Sequence, residues 1–216
     1  MTNYKKASTE EMYNIIQEKI PLNERMRFVY LPIIAMDCAC YVGEDLLGVL
    51  RELKLSSTKK VSRELRTCIE GYRRDNYNVM HSDLYGHLEA FTKDFYSSIT
   101  QDLFILQLQY QQKLLDMKVE LSPEKYKLTA LSYMVHRMVQ YVIELDRKFS
   151  ARMSLLLGEN IHYTTEDNRY CIRIVKAMKM LPSLVGVPMD ATTMVSERID
   201  MSFKVYMNKL NKVEIQ

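Results

Sequence analysis

Titratable side chains at helical spacing are where this 216-residue chain would carry chemistry, and three sets of them stand out. Asp83 and His87, four apart, share a helix face as a metal-binding pair would, with His81 just ahead. His81 and His87 diverge on a helix, so the set reads as a polar helix start rather than a metal site. Glu159 and His162 have the Glu-x-x-His spacing of helical di-iron ligands. Such a site needs a second copy of the motif and two further inward glutamates, and the sequence offers one copy just after Gly158. Asp37, Tyr41 and Glu44 follow one another along a helix side, with Arg27 and Tyr30 before them and Arg51 after. Buried, that polar seam would hold a cation or small ligand; solvated, it would form ordinary helix ion pairs.

No phosphate-cradling glycine loop, nucleophile elbow or His-Glu-x-x-His occurs, and six glycines leave little material for a substrate loop. No catalytic residue, metal or cofactor is therefore expected. Basic residues are segregated instead. Residues 51–80 hold eight Lys or Arg against four acids, and Arg169, Arg173, Lys176 and Lys179 follow with no acid before Met180. Within the first stretch Lys59, Lys60, Arg63, Arg66, Arg73 and Arg74 are the candidates for a nucleic-acid or acidic-partner surface, on basic helices expected at 59–74 and 169–179.

Whatever carries these residues must be helical. Six Gly and five Pro leave few places to turn, and 47% hydrophobic with 26% charged residues is an ordinary globular balance. Ser8 and Glu11 form a capping box for a short helix ended by Pro21. A second helix runs from Asn23 to Leu55, kinked at Pro32, with Ile33, Met36, Cys40, Gly43, Leu47 and Leu50 in one stripe. Its apolar run is interrupted by Asp37, Glu44 and Asp45, so it reads as a buried helix rather than a membrane span. Ser56 to Thr58 break the chain before a helix from Lys59 to Val79.

From Ser82 a long pattern runs through Leu103, Leu106, Tyr110, Leu114 and Met117, with Ser97, Ser98 and Thr100 as the place for a break. Ser122, Pro123 and Glu124 then stand as cap, first-turn proline and first-turn acid. The following helix carries Leu128, Leu131, Val135, Met138, Val142, Leu145 and Phe149 at heptad spacing, then Met153 and Leu156. Two long stripes joined by a tight connection predict an antiparallel hairpin. A helix from Thr165 ends near Pro182 to Pro188, and Asp190 caps a last one. Leu181 to Ile199 has the layout of a helix-turn-helix with Gly186 and Val187 at the turn, departing from it at Pro182 and Thr192.

The expected fold is all-α: an elongated bundle of six or seven helices around the long hairpin. It forms one domain over 1–216, divisible into 1–80, 82–157 and 165–213. Cys38, Cys40, Cys68 and Cys171 form no CxxC pair, and Met1 to Ser8 lack the apolar core of a secretory signal, which points to reduced thiols in a cytoplasm. Fifteen Met and fifteen Tyr with no Trp supply adaptable apolar contact area. The functional expectation is a non-enzymatic bundle acting through protein contacts, as a homo-oligomer or a component of a larger assembly. The alternative is a DNA- or RNA-binding regulator.

Overall fold

Ser122, Pro123 and Glu124 start a helix in the order their chemistry predicts: the Ser122 hydroxyl accepts from the Lys125 backbone N–H at 3.4 Å. The computed structural model describes residues 31–75, 111–118, 121–158 and 168–210, together with Asn14, residues 18–21, Glu24, Phe28, Lys93, Ser97, Gln101, Ile105, Leu108 and Gln109. Five α-helices and one short 3-10 helix, Ser56–Thr58, have described bounds; Ile105, Leu108, Gln109 and residues 111–116 are helical as well, and there is no strand among the described residues. The helices are α1 (Leu31–Leu53), α2 (Lys59–Asp75), α3 (Pro123–Leu157), α4 (Asn168–Val185) and α5 (Met189–Leu210). The all-α expectation holds. The short first helix, most of the long pattern from Ser82, and with it the hairpin, lie outside the described residues. His81, Asp83, His87, Glu159 and His162 lie there too.

The central helices are α1 and α3. At 35 residues α3 is unbroken and spans about 50 Å. Its heptad residues from Leu128 to Met153 are all buried, and Gly158, with φ of 66°, ends it in the left-handed conformation that a residue without Cβ adopts cheaply. Helix α1 packs on α3 and α2, and its burial exceeds the single stripe expected. Leu31, Ile34, Ala35, Cys38, Ala39, Val42, Leu46 and Val49 are buried as well, so Cys38 and Cys40 both lie inside although they project to different sides. Pro32 lies at the edge of the described part of α1, and Phe28, one turn before it, is already helical. A kink there would displace residues that, apart from Glu24 and Phe28, are not described.

Helix α4 runs past Pro182 and stops at Val185. Its end is a Schellman arrangement: the Val187 N–H donates to Pro182 O at 3.0 Å, the Gly186 N–H donates to Ser183 O at 3.2 Å, and Gly186 has φ of 71°. Asp190 is not the cap of α5. Pro188 O accepts from the Thr192 N–H at 3.0 Å, and Asp190 sits in the first turn, where a carboxylate still favours the positive helix end. Nor do α4 and α5 pair as a helix-turn-helix unit would, because each packs on α3.

Helices α1, α2, α3, α4 and α5 contribute to one apolar core, so segments from 1–80 and 165–213 interleave around α3. No helix among the described residues is long and apolar enough to cross a membrane.

Two interior glycines show where packing is tight. A Cβ built at Gly48 meets nothing within 4 Å, whereas one at Gly71 falls 2.7–2.8 Å from the Tyr170 ring and hydroxyl. Gly48→Ala is expected to raise stability by about 0.5–1 kcal/mol, the helix-propensity gain alone. Gly71→Ala sets the same gain against an overpacking cost of about 1–3 kcal/mol and is expected to destabilise. Urea unfolding of the two variants checks this. A Gly71→Ala protein at least as stable as Gly48→Ala would mean that α2 and α4 do not approach so closely.

Candidate functional site

The two basic helices are neighbours. Three contacts fix α2 antiparallel to α4: the Ser57 hydroxyl donates to Leu184 O at 3.0 Å, Arg173 Nε to Glu64 Oε1 at 2.5 Å, and the Tyr170 hydroxyl to Asp75 Oδ2 at 2.7 Å. The close approach has a sequence cause, since Gly71 lacks the Cβ that would strike the Tyr170 ring. Buried Leu65, Ile69 and Tyr72 turn the other side of α2 inward, with Leu65 and Ile69 lying against Gly43 of α1.

Charges consequently gather at the α2–α4 seam. The hydrogen bond from Arg173 holds the Glu64 carboxyl below its usual range; burial opposes this, and Lys60 and Arg63 add to the lowering. Lys60, Arg63 and Arg173 therefore surround one acid. Lys59, Arg66 and Arg74 are exposed along α2, and Lys176 and Lys179 along α4. Three of the arginines are engaged within the chain: Arg173 with Glu64, Arg74 with Asp75 at 3.2 Å, and Arg73 with Glu44 at 2.5 Å. Lys59, Lys60, Arg63, Arg66, Lys176 and Lys179 enter no ion pair among the described residues. Arg169 is helical, and its side chain is not among those described.

The polar seam of α1 splits. Asp37 is 3% exposed inside the core, Tyr41 is half-buried, and Glu44 is exposed. Arg73 of α2 closes its outer end, pairing with Glu44 while its guanidinium lies 5.7 Å from the Tyr41 ring centroid. Inside, burial and then the Asp37 charge push the thiols of Cys38 and Cys40 far above their ordinary range. Cys68 is raised to about 11, mainly by burial. These thiols stay protonated and are poor nucleophiles or metal ligands. No group of three or more His, Cys, Asp or Glu among the described residues is arranged to hold a metal ion.

A further polar centre escaped sequence reasoning. His136 of α3 is 8% exposed, and neither ring nitrogen has a hydrogen-bond partner. Burial first, then the charges of Lys179 and Arg137, lower its pKa to about 4, against an opposing pull from Asp200. Asp200 of α5 accepts from the Tyr133 hydroxyl at 3.0 Å. It also meets Arg137 Nε at 2.5 Å, a charge contact whose N–H is not aimed at the oxygen. The only hint in the sequence is that His136 stands beside the heptad position Val135.

Apolar surface forms the last candidate. Ile105, Leu108 and Leu115, spaced three and seven apart, lie on one helical side and are 51%, 56% and 65% exposed. Leu114, of the expected stripe, is buried, whereas Met117 is exposed. Leu115 also lines an open groove of about 620 Å³ with Gln111, Leu114, Leu121, Pro123 and Lys125. No protein-family model, no curated protein and no solved structure matches this chain.

Proposed function

We propose that this chain is a helical-bundle protein that acts by contact with other protein chains, as a homo-oligomer or as a component of a larger assembly. The observation that carries the reading is the exposed stripe of Ile105, Leu108 and Leu115 beside the groove at the start of α3. Side chains of this kind, half or more in water, are ordinary singly but mark contact sites when aligned on one face. Covering all three contributes about 3–5 kcal/mol, comparable with the lower estimates for the cost of association. The stripe is thus the centre of a contact whose remainder must come from neighbouring surface. The richness in Met and Tyr supplies adaptable contact area of the same kind.

Exposed Lys113 and Lys118 flank the stripe and serve as reporters. Amine cross-linking of a mixture of heavy-isotope-labelled and unlabelled protein is expected to give mixed-isotope links from these two lysines. Links confined to single chains at high micromolar concentration would remove the homo-oligomeric form of the reading.

A further inference from the structure

We infer that the outer surface of α2 and α4 docks the phosphate backbone of double-helical DNA. The first ground is charge. Lys59–Asp75 holds six basic and three acidic residues and Asn168–Val185 four basic and no acidic ones. The pair therefore carries +7 in a chain of net charge +3, which leaves −4 for everything else. Such segregation within a nearly neutral protein concentrates a positive field on one part of the surface.

Geometry is the second ground. Packing α2 antiparallel to α4 brings segments about a hundred residues apart in sequence into one field, with Arg173 and Glu64 bonded across the seam and Lys60 and Arg63 close around them. Lys59, Arg63 and Arg66 recur at helical spacing on the exposed side of α2, and Lys176 lies one turn beyond Arg173 on α4. Of the acids, Glu64 is taken by Arg173 and Asp75 by Arg74 and Tyr170, leaving Glu70 as the exposed interruption.

The chemistry of the face selects the partner. The outward positions of α2 are charged or hydroxylic and offer no aromatic anchor of a protein hot spot, while on α4 the exposed Ile172 and Met180 stand one turn either side of Lys176 as the apolar part of the face. Tyr72 and Tyr170 are buried, so the helix pair presents no stacking platform for single-stranded bases. What remains is contact with phosphates, which positions a duplex without reading its sequence. Cations carried outward on two packed helices can reach phosphates on both edges of a groove, and B-DNA opens its major groove to roughly 12 Å. The major groove of A-form RNA is narrower.

The test is fluorescence anisotropy of the full chain with a labelled random-sequence DNA duplex, repeated with duplex RNA and with heparin as competitors. Four phosphate contacts predict micromolar binding at 50 mM salt and a loss of about a hundredfold by 200 mM. The exposed-site variant Lys59→Gln, Lys60→Gln, Arg63→Gln, Arg66→Gln is expected to bind at least tenfold more weakly with a shallower salt slope. The control Arg51→Gln, Lys204→Gln should bind as the unaltered chain does, and circular dichroism should show all proteins equally helical. Absence of binding at 50 mM salt overturns the inference, as does equal weakening by the control pair. Duplex RNA or heparin displacing DNA at a tenth of its concentration also overturns it.

Discussion

Leu65→Ala is expected to lower the unfolding free energy by about 3 kcal/mol, within the 2–5 kcal/mol range for emptying a fully buried leucine site. Leu65 is 0% exposed in the middle of α2, and its Cδ1 lies 3.6 Å from where a Cβ of Gly43 would stand. Because residue 43 has no side chain, α1 offers nothing there to collapse into the space, so a cavity should persist and the cost should lie above the minimum. Against a total stability of about 5–15 kcal/mol this is a large fraction. Urea unfolding followed by circular dichroism measures it, and an unchanged slope with a lower midpoint would assign the loss to the native state. A loss below about 1 kcal/mol would mean that α2 is not seated on α1, and the basic surface would then lack its support.

Stability should also fall in mild acid because of His136. Its folded pKa of about 4 lies below the ordinary 6.5, so the unfolded chain takes up a proton at a pH where the folded chain does not. The neutral buried form therefore contributes stability above pH 6.5, and this is lost as the pH drops from 6.5 to 4. Below 4 both states are protonated and this group adds no further slope. Each pKa unit corresponds to about 1.4 kcal/mol; with partial solvent screening the whole effect is about 2 kcal/mol. Lys179 of α4 and Arg137 of α3 oppose a charge on the ring, and Asp200 of α5 favours one less strongly. His136→Leu should flatten the stability profile between pH 7 and 4.5 relative to the unaltered chain. Parallel profiles for the two proteins would show that His136 is not buried in its neutral form.

Local punctuation was legible in the sequence because it depends on neighbours a few residues away. Ser122, Pro123 and Glu124 fix the start of α3, and Gly186 falls where the end of α4 was expected, each by a backbone requirement that only certain residue types meet. The heptad of α3 was legible because all of its positions face the core, but it understated the burial: Ala130, Met134 and Val139 lie inside on other sides, where α1, α4 and α5 pack. The stripe of α1 understated the truth, since a helix packed by neighbours on several sides is apolar nearly all round and its periodicity fades. Asp190 looked like a cap because its residue type suits one. The preceding Pro188 carbonyl had already opened the helix.

Long-range pairings left no such trace. Glu44 meets Arg73 across 29 positions and Glu64 meets Arg173 across 109, so the segregation of basic residues could be read but their meeting at one seam could not. His136 was hidden for a related reason. Its burial is decided by α4 and α5 closing over the flank of α3 rather than by the seven-residue repeat to which it is adjacent.

Light scattering on the purified chain, compared with Leu108→Glu, tests the proposed dependence on protein contacts most directly. Glutamate at that exposed position leaves the core untouched but places a charge in the middle of the apolar stripe, where covering it would require desolvation. The unaltered chain is expected to show a mass above the 25.5 kDa of one copy at micromolar concentration, and Leu108→Glu to fall back to it. A mass of 25.5 kDa for the unaltered chain across the accessible concentration range would contradict self-association through this stripe.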